Sequence, residues 1–216
     1  MRLWSDSFRD GGLIPVENTL GAIDPQAHVR LSDNRNPHLA WDDVPNGTAS
    51  LALLCYDADA PLNTADVNRR GVTLAPGLLR GPFYHWSLID IPLSPQTIAE
   101  GQFSNRVTPR GKPSAVLDGV IPPMRQGLND YTAWFAGDPD MAGDYYGYDG
   151  PCPPWNDERI HHYIFRVYAL DVLRLAVEGR FTGRQARAAM HGHILDEAQL
   201  VGAYSLYPAL AFTLKK

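Results

Sequence analysis

The sequence predicts a mainly β fold with minor α content, organised around a large central antiparallel sheet. Apolar runs of strand length recur at Ser50–Tyr56, His85–Ile91 and His161–Ala169, each bounded by Pro, Gly or Asp. From His161 onward β-branched and aromatic residues dominate, and alternation puts His161, Tyr163, Phe165 and Val167 on one face. Helical signal is thin by comparison.

In chain order, His28–Leu31 reads as a short strand, and Asn36–Trp41, which contains Pro37, as an edge or crossing segment. The three long runs form the scaffold. Two connections, Pro61–Pro82 and Phe103–Tyr148, exceed ordinary loop lengths, and long ordered loops tend to bind something or cover a site. The second holds Tyr131, Trp134, Phe135, Met141, Tyr145, Tyr146 and Tyr148, too aromatic for a solvated linker, so it reads as a lid or a dimer surface. Near the C-terminus, Thr182 is a candidate N-cap for a helix over Gly183–Gly192, and Leu195–Leu200 reads as a second short helix.

At 216 residues with 44% hydrophobic content, the chain can bury a sizeable core as one domain over 1–216, with a long insertion at about 103–148. A net charge of -5 with scattered cations argues against a nucleic-acid footprint and against coating an anionic membrane. Arg2, Asp6, Arg9, Asp10 and Glu17 interrupt Met1–Thr19, so no secretory signal or transmembrane span is expected and the cytoplasm is the expected location. Cys55 and Cys152 have no Cys-x-x-Cys spacing and read as free thiols of a reducing compartment.

Three places can carry chemistry. Asp57 and Asp59 close the first long strand, where each can cap backbone donors in an Asx-turn or accept from a histidine. His85 opens the second strand, as a packed core residue or as a ligand. In the turn before the third, Pro151, Pro153 and Pro154 fix φ and withhold backbone donors, so it holds one shape. His161 and His162 point to opposite faces of a strand, and His191 and His193 lack the i, i+4 spacing of helical ligands, so no metal site is expected.

With Asp-Ala-Asp-Ala-Pro at 57–61, His85 opening a strand, Gly-Pro-Cys-Pro-Pro at 150–154 and His161-His162-Tyr163, the chain resembles the phosphatidylethanolamine-binding protein family, in its bacterial Raf kinase inhibitor-like branch. The resemblance implies a β-sandwich-like fold, short helices toward the C-terminus, and a small pocket that takes phosphate-like anions. It implies that Asp57, His85, His161 and Tyr163 line the pocket, that Cys152 and Pro153 complete its rim, and that Asp59, Pro61, Gly150 and Pro151 shape the turns. Two features depart from the family pattern: six residues, Trp155–Ile160, separate Pro154 from His161, and His162 stands where Arg is usual.

The function expected is that of a binding protein for a small anion, whether a phospholipid headgroup, a phosphometabolite or a phosphorylated partner, without a cofactor. Asp57 would accept from one imidazole, keep it charged and leave it a donor for the ligand, so affinity would weaken as pH rises through 7. The alternative is a hydrolase, cyclase or isomerase in which Asp57 orients His161 or His85 as acid/base and Tyr163 donates to an oxyanion. A thiol mechanism would pair Cys152 with His161. A kinase partner does not follow from the sequence, whereas the aromatic insertion makes a homodimer an expectation.

Overall fold

The computed structural model describes residues 1–112 and 123–213; of the long segment at 103–148, residues 113–122 lie outside the described residues. The strands are β1 (Arg2–Trp4), β2 (Gly21–Asp24), β3 (His28–Leu31), β4 (Leu39–Asp42), β5 (Ser50–Pro61), β6 (Arg80–Ile91), β7 (Thr97–Ile98), β8 (Arg125–Gln126), β9 (His161–Leu170) and β10 (Ile194–Tyr204). Short helices α1 (Tyr131–Trp134), α2 (Gly183–Ala189) and α3 (Pro208–Thr213) accompany them. The fold is mostly β, as predicted, and no helix among the described residues is long and apolar enough to cross a membrane.

The centre is a five-stranded antiparallel sheet in the order β10-β9-β5-β6-β8. Its inner strands read as near-continuous apolar runs because both faces are covered. On one face Leu51, Leu53, Cys55, Phe165 and Val167 pack with Phe8, Leu39 and Trp41. On the other, Ala52, Leu54 and Tyr168 meet Leu175, Phe181, Ala186 and Met190, the last two from α2 and the residue after it. A three-stranded sheet, β1-β4-β7, and the β2–β3 hairpin complete the architecture.

The structure corrects two readings. Leu195–Leu200 is strand, not helix: it belongs to β10, which pairs with β9 from Ile194↔Leu170 to Tyr204↔His161. Its alternating exposure from Ile194 to Glu197 is a period of two, which a six-residue window confuses with a short amphipathic helix. Asn36–Trp41 yields β4, the middle strand of its sheet, because Pro37 lies ahead of the paired residues and costs no ladder bond.

The described part of the 103–148 segment packs into the molecule. Tyr131, Tyr145, Tyr146 and Tyr148 are buried within the chain, and Tyr148 joins the main core, its ring 5.5 Å from that of Trp86. Phe135 and Met141 are half-buried, and Trp134 is 43% exposed.

Helix α2 begins as the sequence predicts: Thr182 accepts from the Gln185 amide and the Gln185 side chain returns to the Thr182 amide, a complete capping box. Thr182→Ala is expected to lower stability by about 1 kcal/mol in urea denaturation, without changing m.

Candidate functional site

One end of the sheet opens into a cavity of about 560 Å³. Asp57, His85, Cys152, Pro153, His161 and Tyr163, named from sequence as one pocket, all line it. Pairing explains part of the convergence: Asp57 stands opposite Tyr163 across the β5–β9 ladder, and His161 follows two residues away on the same face. His85 needs a further device. The register passes from Cys55↔Trp86 to Tyr56↔Tyr84, leaving His85 as an extra, bulged residue in β6. A bulge re-aims a side chain, here toward the cavity.

His161 sits between two carboxylates. Its Nδ1 is 2.7 Å from Asp57 Oδ2 and its Nε2 is 3.0 Å from Asp157 Oδ2, all three residues being buried. Both ring nitrogens must carry protons to satisfy two carboxylates, so the imidazolium is the form this geometry holds. Burial opposes the charge, but the Asp57 carboxylate and the hydrogen bonds to Asp157 and Asp57 outweigh it and raise the His161 pKa to about 9. Asp157 in turn accepts both Arg80 guanidinium branches, at 2.7 and 2.9 Å. Burial would lift the Asp157 carboxyl, yet His161 and Arg80 hold it below its ordinary value.

This changes the role expected of the histidine. Asp57 does bond His161, but Asp157 takes the second nitrogen, leaving no N–H to donate to a ligand and no lone pair to act as a base. The thiol pair fares no better, since His161 is fully engaged and burial pushes the Cys152 thiol up to about 12.

His85 is placed differently. Its Nδ1 lies 2.7 Å from the Asp149 carbonyl oxygen, and burial holds its pKa below the ordinary imidazole value. The Asp149 side chain accepts from Asn34 at 2.7 Å, Asn129 at 2.8 Å and Lys112 at 3.0 Å, which fixes the backbone that His85 bonds. Tyr163 also lines the cavity: the residue is 0% exposed, its hydroxyl has no hydrogen-bond partner among the described residues, and burial keeps the phenol protonated.

The turn residues frame these groups. The Pro151 carbonyl accepts from Leu20 at 2.9 Å and Gly21 at 3.1 Å, so the hairpin wall is tied to the proline turn. Gly150 passes so close to the backbone that a Cβ would meet Asn18 O at 2.4 Å. Pro61 ends β5 and lines the cavity. Asp57 Oδ1 accepts from the Asp59 amide at 2.7 Å, so one carboxylate serves both the Asx-turn and the histidine. Asp59 faces Arg159 at 2.6 Å and His162 at 2.8 Å, and His162 does not line the cavity.

Sequence reasoning missed Asp157, Arg80, Asp149 and the apolar wall supplied by Leu20, Val29 and Leu31. The unusual link Trp155–Ile160 was the available signal. Within it Asp157 clamps His161, Arg159 pairs with Asp59, and the Asn156 carboxamide bonds the Asp66 and Val72 carbonyls and the Asn68 amide, pinning the 62–79 loop.

A mostly β protein with a largely apolar pocket that gathers a few buried polar groups at one sheet end is the class defined so far. Residues 4–205 match the family model described as phosphatidylethanolamine-binding protein, and the chain belongs to that family. It is 30% identical over 205 residues to the UPF0098 protein YbhB of Escherichia coli, covering 95% of this chain and all of that one. A UPF0098 protein of Methanothermobacter thermautotrophicus is 31% identical over 204 residues, with 94% and 98% covered. Among solved structures, Escherichia coli YbcL, described as a new member of the mammalian PEBP family, superposes with a TM-score of 0.65 at 22% identity, covering 94% and 97% of the two chains. The putative phosphatidylethanolamine-binding protein homolog CT736 of Chlamydia trachomatis gives 0.61 at 27% identity, covering 94% and 96%.

Folded His161 keeps its proton up to about pH 9, whereas an unfolded imidazole releases it near about 6.5. Its contribution is therefore complete below pH 6.5 and lost as pH rises toward 9, on the order of 3 kcal/mol. Urea unfolding at pH 6.5 and 9.5 is expected to show that decline, and His161→Gln to flatten it. Histidine NMR should find the His161 titration near 9.

Proposed function

We propose that this chain binds a small anionic ligand, its polar head at Tyr163, His85 and Cys152 and its remaining body along the apolar wall of Leu20, Val29, Leu31, Phe83 and Phe135. A phospholipid headgroup, a phosphometabolite or a phosphorylated side chain all share that chemistry. The observation that carries the reading is the Tyr163 hydroxyl, a buried donor without a partner among the described residues, on a side chain that lines the cavity. An unmet buried hydroxyl costs about 1–3 kcal/mol, a cost that a ligand oxygen removes on binding. The Cys152 amide, which meets no acceptor among the described residues, offers a second donor. The His161 cation behind Asp57 offsets that carboxylate, so the pocket does not repel an anion outright.

Binding without turnover is the reading the geometry favours over an acid/base role for His161. His161, the residue best placed beside Asp57, has both nitrogens committed and a proton it holds to about pH 9. The weakening of affinity expected through pH 7 moves upward accordingly, toward the pH at which His161 loses its charge. Two free cysteines suit a reducing cytoplasm as the working location.

A thermal-shift series with phosphate, phosphoethanolamine, nucleotides and carboxylates tests the reading. Tyr163→Phe should melt at or above the parent temperature, because it deletes an unmet polar group, while its affinity for a stabilising anion falls roughly tenfold. An undiminished response in that variant would remove Tyr163 from the site and the reading with it.

A further inference from the structure

Acceptors and donors are unevenly shared at the polar end of the cavity. A carbonyl oxygen only accepts, so the 2.7 Å contact between His85 Nδ1 and Asp149 O places the proton on Nδ1. Neutral His85 then presents a bare lone pair at Nε2, an atom with no partner among the described residues. Asp57 lines the same end, and its oxygens, engaged by the Asp59 amide and His161 Nδ1, keep further lone pairs. The Tyr163 ring stands edge-on to His85, 5.2 Å between centroids, and carries the hydroxyl donor that has no partner among the described residues.

The charged and titratable groups around His85 are Asp57 from β5, Asp130 ahead of α1, and Asp149 in the turn, with the Tyr131 and Tyr163 rings packed against it and His161 beyond Asp57. Burial outweighs the three acids, so the lone pair at Nε2 persists at neutral pH. A fully deprotonated oxyanion would set its own lone pairs against Nε2 and Asp57.

We propose that the pocket selects an oxyacid head group that still carries a proton, which donates to His85 Nε2 while a second oxygen accepts from the Tyr163 hydroxyl. The proposal rests on the small-anion reading above and names which anions satisfy it. Hydrogenphosphate and a singly protonated phosphate monoester qualify; sulfate and a dianionic monoester do not. Asp149 is the positioning residue, because its carbonyl sets the His85 tautomer while its carboxylate is tied to Asn34, Asn129 and Lys112.

Inorganic phosphate and sulfate form a matched pair at pH 8, both tetrahedral dianions, of which only hydrogenphosphate keeps an O–H. Calorimetry on the full chain at that pH is expected to find phosphate bound at least roughly tenfold tighter, the usual cost of leaving one buried polar group unmet. His85→Gln supplies a carboxamide that can turn either its N–H or its oxygen to the ligand, so sulfate affinity should rise toward that of phosphate. Equal affinity of the parent protein for the two ions overturns the selection and leaves the anion site standing. Sulfate binding as tight as phosphate binding with uptake of one proton does the same, since His85 is then the donor. Failure of both ions to bind removes the anion reading and this proposal together. A His85→Gln protein that melts near the parent temperature and keeps the full preference overturns His85 as the discriminating residue.

Discussion

The imidazolium of His161, held between Asp57 and Asp157, is the interaction on which the functional end of the molecule depends. It joins three separate pieces of chain: the end of β5, the start of β9 and the link that follows the proline turn. Charges this deep persist only when each has partners. Asp157 therefore draws in Arg80 from the start of β6, and Arg80 also bonds the Asp59 carbonyl at 2.7 Å. Removing one member would leave another buried and uncompensated, so the set behaves as a unit.

A consequence of that rigidity is a division of labour among residues of the same type. His161 is structural charge, both of its ring nitrogens taken by acids. His85, far away in sequence but lining the same cavity, is neutral and open on one nitrogen. Two histidines on adjacent regions of one sheet thus end in opposite protonation states, one through carboxylate pairing and the other through burial against a carbonyl.

The polar floor is small beside the apolar wall of the cavity. Leu20, Val29 and Leu31 come from the β2–β3 hairpin and its approach, whose own two-stranded pairing is short and whose attachment runs through the Pro151 carbonyl. The prolines matter here for what they lack: with no N–H at Pro151, Pro153 and Pro154, the amide of Cys152 is the only backbone donor from 151 to 154. Opposite, the 62–79 loop is held by the Asn156 carboxamide, which satisfies backbone groups on both of its sides.

Apolar runs with turn punctuation determined the three long strands, because burial on both faces demands nearly unbroken hydrophobic sequence. Alternation determined that Tyr163 and His161 share a face and that His162 does not, since the strand period is two. That Asp57, His85 and Cys152 meet in one pocket followed from the family resemblance their motifs carry, not from spacing alone. What the tertiary structure decided lies in relations that no local pattern encodes. The bulge at His85 follows from how β6 pairs with β5, β10 is a strand because β9 offers it a ladder, and Asp157 reaches His161 only because the proline turn folds the link back. Protonation was decided at the same level: a histidine's charge depends on which carboxylate or carbonyl lies within about 3 Å of each nitrogen, a distance set by packing and not by spacing along the chain.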